Sequence, residues 1–275
     1  MTTVGKAPIL ELDNVSLRFG GVRAMTDVSC SVYPGELFSI IGPNGAGKTS
    51  TLNCISGRYR PTSGRIRHHG KDITGLGPRK RADLGIGRTF QNLALFSGMS
   101  VLDNILIGRH HLLKTGVARG MLYWIGGAQQ EEVQHRAAVE EIIDFLEIQH
   151  IRNEHAGTLS YGLRKRVELA RAIALKPELI LLDEPMAGMN LEEKEDMARF
   201  IVDLNEEMGM TVVMIEHDMG VVMDLSHRLM VLDFGRKIAE GIPDDIKANE
   251  DVKRAYLGQD HGVMPTAEPS AEAVT

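Results

Sequence analysis

Gly42-Pro43-Asn44-Gly45-Ala46-Gly47-Lys48-Thr49 is the stretch whose reading decides the fold. It matches G-x-x-x-x-G-K-[ST], the pattern of a phosphate-binding loop. The pattern requires a strand before it and a helix after it. Glu36-Leu37-Phe38-Ser39-Ile40-Ile41 is mostly apolar and β-prone, which predicts a buried strand. Ser50-Thr51-Leu52-Asn53-Cys54-Ile55 reads as the continuation into a helix. Gly42, Gly45 and Gly47 permit backbone angles and a close approach that a Cβ would block. Their N–H groups and the positive end of the new helix suit a polyphosphate. Lys48 supplies a point charge for the β- and γ-phosphates, and Thr49 a hydroxyl for Mg²⁺.

The 275 residues allow one large domain or two small ones. Hydrophobic residues make up 43% and charged residues 25%, which is ordinary for a globular protein. The net charge of −6 argues against a general nucleic-acid binder, so no nucleic-acid partner is expected. Cys30 falls in a predicted strand and Cys54 in a predicted helix, and both read as reduced core residues. No apolar run approaches the roughly 18–20 residues that span a bilayer. The N-terminal residues Met1-Thr2-Thr3-Val4-Gly5-Lys6 show no secretory hydrophobic region. A cytoplasmic chain is the expectation, held at a membrane only through another chain.

Residues 9–41 read as mainly β. Val28, Cys30 and Val32 alternate with polar neighbours, and Tyr33-Pro34-Gly35-Glu36 turns the chain. Residues 64–75 hold a short strand at Arg65-Ile66-Arg67 and a turn at His69-Gly70-Lys71-Asp72. From about Met99 to Thr158 the pattern is helical, with a glycine-bearing interruption at 116–127 that contains Trp124. Within 131–146, an apolar stripe is read from Val133, Ala137, Ile142, Ile143 and Leu146. The α/β pattern returns from 159. Leu179-Ile180-Leu181-Leu182 and Thr211-Val212-Val213-Met214-Ile215 are buried parallel strands, and Arg228–Leu232 with Lys237–Ala239 form a terminal hairpin. The Pro-, Ala- and Glu-rich tail at 259–275 reads as disordered. The adjacent histidines His68-His69 and His110-His111 read as solvated or structural, because no further ligand is visible in sequence.

The strand at 179–182 ends in Asp183-Glu184. A strand end delivers carboxylates to the open edge of an α/β sheet, where ligands bind. Asp183 suits the Mg²⁺ shell, and Glu184 suits a general base on water. Upstream, Leu159-Ser160-Tyr161-Gly162-Leu163 precedes a helix predicted to begin near Arg164, and Ser160 suits a helix cap.

Together these segments resemble the ATP-binding cassette (ABC) family, over about residues 8–258. Ser160 and Gly162 stand in its signature sequence and Gln91 in its glutamine loop. Met189-Asn190 falls at its D-loop, His217 at its switch histidine, and Phe19 where the family stacks an aromatic on adenine. Tyr161 and Leu163 depart from the common Leu-Ser-Gly-Gly-Gln signature. Arg88-Thr89-Phe90-Gln91-Asn92, Ala187-Gly188-Met189-Asn190, Ile215-Glu216-His217-Asp218-Met219 and Ala255-Tyr256-Leu257-Gly258 look like the ATPases of branched-chain amino acid importers.

The resemblance implies an α/β phosphate-loop fold with a mainly parallel core sheet, an N-terminal antiparallel β region and an inserted helical subdomain at about 92–172. It implies an ATPase that drives an importer; the alternatives are a soluble non-transport ABC ATPase or the ATPase of a lipid or lipopolysaccharide exporter. Lys48, Gln91, Glu184 and His217 would be catalytic. Phe19, the whole of 42–49, Ser50, Ser160 and Gly162 would contact ATP. Thr49, Gln91 and Asp183 would hold Mg²⁺. The implied partners are membrane permease subunits, a second ABC ATPase and, indirectly, a solute-binding protein. The implied location is peripheral, on the inner face of the cell membrane.

Overall fold

The computed structural model describes residues 7–89, 95–109, 112 and 127–257. The expectations for Gln91, Trp124, His110-His111 and the tail after 258 lie outside these residues.

The predicted strand before the phosphate loop is β3 (Leu37–Ile41), buried at every position. It sits inside a six-stranded sheet whose other members are β6 (Ile86–Arg88), β7 (Leu179–Asp183), β8 (Thr211–Ile215), β9 (Arg228–Asp233) and β10 (Arg236–Gly241). The order is β10-β9-β3-β8-β7-β6, parallel except for the β9–β10 hairpin. Strands covered on both faces read as unbroken aliphatic runs, which is why 179–182 and 211–215 were legible. A second, antiparallel sheet has the order β2-β1-β4-β5, from β1 (Leu10–Phe19), β2 (Val22–Val32), β4 (Ser63–His68) and β5 (Lys71–Asp72).

Successive strand residues face opposite sides, and the core divides accordingly. Phe38, Ile40, Leu179, Leu181, Val213 and Ile215 pack with the antiparallel sheet and the helix after the phosphate loop, α1 (Lys48–Ile55). Ile180, Leu182, Val212 and Met214 face the helical layer. That layer contains α3 (Val101–Gly108), α4 (Gly127–Phe145), α5 (Tyr161–Ala174) and α6 (Leu191–Glu206); the short α2 (Pro78–Asp83) lies on the other side of β6 in sequence. Cys30 and Cys54 are buried free thiols, as expected, and burial pushes them up to about 12 and about 11.

The stripe on α4 corrects the sequence reading. Its buried residues are Val139, Ile142 and Ile143, continued by Leu146 just past the helix end, whereas Val133 is 60% exposed and Ala137 is exposed. At about 100° per residue, Val133 stands roughly 240° away from Val139. Ile142, Ile143 and Leu146 belong with Val139 at i+3, i+4 and i+7, a spacing that Val133 does not share. Of the two readings open for His68, solvated or structural, burial selects the structural one. His68 is 3% exposed, and burial pushes its imidazole down to about 4, with His69 adding to the effect.

Candidate functional site

Strand register builds the site. β3, β8 and β7 run parallel, with Ile40 beside Ile215 and Ile215 beside Asp183. The residues that follow each strand therefore emerge together at one edge: the loop from Gly42, the segment Glu216-His217, and Glu184. The Glu184 N–H extends the ladder by donating to Ile215 O at 2.9 Å. Two residues beyond Ile215, His217 Nε2 lies 2.7 Å from Glu184 Oε1. Glu184 holds φ +51 here. A non-glycine residue in that region costs about 1–3 kcal/mol and persists only where its surroundings enforce it.

Gly42 shows why the loop needs glycine at its entry. Its φ is +145, and a Cβ there would lie 2.0 Å from Leu232 O. Lys48, 5% exposed, folds back over the loop and donates to Gly42 O at 2.7 Å and Pro43 O at 3.0 Å. Burial pushes the Lys48 ammonium below its ordinary range, while Glu184 and Asp183 pull it back up. Both carboxylates therefore act on the same ammonium. Asn44 and Gly45 are exposed, whereas Gly42, Pro43 and Ala46 are buried. Thr49 and Ser50 occupy the first turn of α1 and are half-buried.

Asp183 is fully buried. Its Oδ2 accepts from Arg88 Nη2 at 2.9 Å. Its Oδ1 has no hydrogen-bond partner, and a buried orphan acceptor is costly. Burial raises the Asp183 carboxyl above its usual range, against a pull from Arg88. An unsatisfied carboxylate oxygen in the same site as the Thr49 hydroxyl and an anion-binding loop is a hard-oxygen donor set, which fits Mg²⁺.

Two bracing residues, Arg88 and Glu216, escaped the sequence reading as site residues; a third, Lys165, lies in a basic triplet that reads as a solvated face or as support for the nucleotide site. Arg88 joins helix α1 to the site: its Nη1 donates to Asn53 Oδ1 and Ser56 Oγ, both at 2.7 Å. Glu216, 4% exposed, accepts from the Met186 and His217 N–H groups at 2.7 and 3.0 Å, and so ties the two carboxyl-edge segments together. Burial raises its carboxyl, and those two N–H groups oppose the shift. Lys165, from the basic triplet Arg164-Lys165-Arg166, is buried and donates to Glu184 O at 3.3 Å. Arg88 and Glu216 stood in motifs noted only for their resemblance. Their polar identity amid buried neighbours was the available signal.

Arg88→Ala is expected to destabilise the fold by about 3–5 kcal/mol, the range for breaking a buried pair. Urea unfolding measures it. A change under about 1 kcal/mol, the size of a surface pair, would contradict a bracing role.

The signature segment is built separately. Ser160 caps α5 by accepting from Leu163 N at 3.3 Å. Gly162 lies against the start of α6, where a Cβ would come 2.2 Å from Glu193 Oε1. Glu193 and Asn190 form the capping box of α6, so the two helix starts are locked together. Leu163 packs on the apolar cluster, which accounts for an aliphatic residue at that position. No hydrogen bond or ion pair among the described residues joins Ser160 or Gly162 to Lys48. Phe19 ends β1, 47% exposed and edge-on to Tyr59 with ring centroids 5.1 Å apart.

The ABC transporter family model matches residues 25–187, and the model for branched-chain amino acid ATP-binding cassette transporters matches 236–262. The high-affinity branched-chain amino acid transport ATP-binding protein LivG of Escherichia coli is 41% identical over 254 residues, covering 92% of this chain and 98% of LivG. A crystal structure of a nucleotide-free ATP-binding cassette from an ABC transporter aligns with a TM-score of 0.80 at 32% identity, over 92% of this chain and all of that one. A dimeric cassette holding ADP and phosphate aligns with a TM-score of 0.71 at 26% identity, over 85% of this chain and 98% of that one. With a family model spanning more than half of its length and a relative this similar along nearly all of both chains, the protein belongs to the ATP-binding cassette family of ABC transporters.

Proposed function

We propose that this chain is the ATP-hydrolysing subunit of a membrane importer for branched-chain amino acids or related small carboxylate solutes. The observation that carries the ATPase reading is the convergence of Lys48, Asp183 and the Glu184–His217 pair at adjoining strand ends. The substrate class rests on LivG's name and on the family model over 236–262.

The loop 42–49 cradles the phosphates with its N–H groups and the start of α1. Lys48 supplies the cation for the β- and γ-phosphates. Glu184 accepts the proton of the attacking water, and His217 holds that carboxylate in place and contacts the γ-phosphate. Thr49 and Asp183 would hold Mg²⁺ together with Gln91, whose position lies outside the described residues. When bound, Mg²⁺ neutralises charge that develops on the phosphates. Pro43, Asn44, Ala46 and Ser50 complete the loop's contacts.

Ser160 and Gly162 serve the ATP held by a second cassette, packed head to tail. Their segment presents a helix N-terminus, while among the described residues no hydrogen bond or ion pair joins it to its own chain's Lys48. A dimeric relative that holds ADP and phosphate supports that arrangement. No helix among the described residues is long and apolar enough to cross a membrane. In the importer reading, permease subunits hold the cassette (8–258) at the inner face of the cell membrane, through its helical part at about 92–172. A solute-binding protein acts upstream of them.

Phe19 stacks on adenine. Phe19→Ala is expected to weaken ATP binding by about tenfold, from the roughly 1–3 kcal/mol of base–aromatic stacking. Competition against a fluorescent ATP analogue measures it, and an unchanged dissociation constant would remove Phe19 from the site.

Cells lacking this chain test the function. They should lose ATP-dependent uptake of labelled leucine, isoleucine or valine and regain it when the chain is restored. Normal uptake of all three, with loss of a different solute, would overturn the substrate assignment.

A further inference from the structure

His68 ends β4 in the antiparallel sheet, His69 follows it in the turn, and Glu178 immediately precedes β7 in the main sheet. The fold closes a sequence gap of more than one hundred residues to bring them together. One ligand atom from each lies within 4.8 Å of the other two. His69 Nε2 and Glu178 Oε2 are 2.7 Å apart. His68 is 97% buried, yet its Nε2 has no hydrogen-bond partner.

Consecutive residues of a regular strand point to opposite faces. Here His69 takes φ +48, and the two imidazole rings meet edge-on with centroids 4.5 Å apart. The backbone beneath them is anchored. His69 N–H donates to Ile9 O at 2.9 Å, and the Glu178 and Leu179 N–H groups both donate to Gly85 O, at 2.9 and 3.1 Å. The side chains of His69 and Glu178 are exposed, at 50% and 63%, and so are free to adjust.

We propose that His68, His69 and Glu178 form a zinc site that clamps the antiparallel sheet to the start of β7. Two imidazoles and one carboxylate are a ligand set for Zn²⁺, with a fourth position left for water. Mg²⁺ favours oxygen ligands and keeps its waters, so this site is chemically distinct from the nucleotide's metal site. The buried nitrogen without a partner gives the site a reason to bind. A bound ion would satisfy His68, which the protein alone leaves unpaired. The clamp would stabilise the junction between the sheets, at the opposite end of β7 from Asp183.

The test uses the full chain, stripped with a chelator and free of nucleotide. Zinc chloride is titrated in competition with a chromophoric chelator. Wild type should bind one equivalent, and zinc should raise its melting temperature. Glu178→Gln, nearly isosteric, and His69→Ala, at an exposed position, should each bind more than about tenfold more weakly and lose the thermal shift. A His110→Ala/His111→Ala variant should behave as wild type, excluding that pair as the source. The proposal fails if wild type takes up no zinc. It also fails if a His69→Ala/Glu178→Gln variant binds zinc as tightly as wild type; His69 and Glu178 would then be an ordinary surface ion pair.

Discussion

Glu184→Gln is expected to lower steady-state ATP hydrolysis by about 10²–10⁴-fold, the range that a general base contributes. ATP binding should persist. The amide keeps the size of the carboxylate and its place beside His217 but cannot accept the proton of water. With hydrolysis stalled, the γ-phosphate contacts stay in place, and an ATP-dependent dimer should accumulate. Phosphate release and size-exclusion chromatography with and without ATP measure both effects. The backbone strain at φ +51 belongs to either residue, so stability should change little. Hydrolysis at the wild-type rate would remove Glu184 from the role of base.

Lys48→Ala should cost about 10²–10³ in turnover, the scale for removing one preorganised charge-stabilising contact, and should weaken nucleotide binding. The ammonium bridges Gly42 O and Pro43 O, and its own charged form is disfavoured by burial. A phosphate would add its negative charge to the pull that Glu184 and Asp183 already exert on the ammonium. The same substitution removes two loop contacts, so a collapsed loop must be told apart from a lost charge. Lys48→Met keeps the stem's packing without the ammonium, and it should be as inactive as Lys48→Ala while retaining near-wild-type thermal stability. Near-normal activity of either variant in the assembled complex would contradict the phosphate-loop assignment.

What could be read from sequence follows from what each residue meets in space. β3, β7 and β8 are buried on both faces, so four consecutive apolar side chains announce β7 and β8, and a mostly apolar run broken only by Ser39 announces β3. The phosphate loop is local, with all of its parts within eight residues. The bracing contacts are not local. Arg88 reaches Asp183 only because β6 and β7 pair with Arg88 beside Leu181, a register that no local pattern states. Glu216 binds an N–H thirty residues away, across the carboxyl edge. The same holds for His68, His69 and Glu178: two adjacent histidines look incidental until the sheets bring the carboxylate to them. On α4, the misplaced members of the stripe were Val133 and Ala137, apolar residues that the fold leaves exposed. Composition could not distinguish them from Val139.

The claim that most needs a direct test is that each ATP is shared, with Lys48 from one cassette and Ser160 from the other. Lys48→Ala and Ser160→Arg chains, each inactive alone, should be mixed and their ATP hydrolysis measured. Sharing predicts recovery to about a quarter of the wild-type rate, since roughly half of random dimers are mixed and each mixed dimer carries one intact site. A mixture as inactive as its components, with mixed dimers demonstrably present, would contradict it.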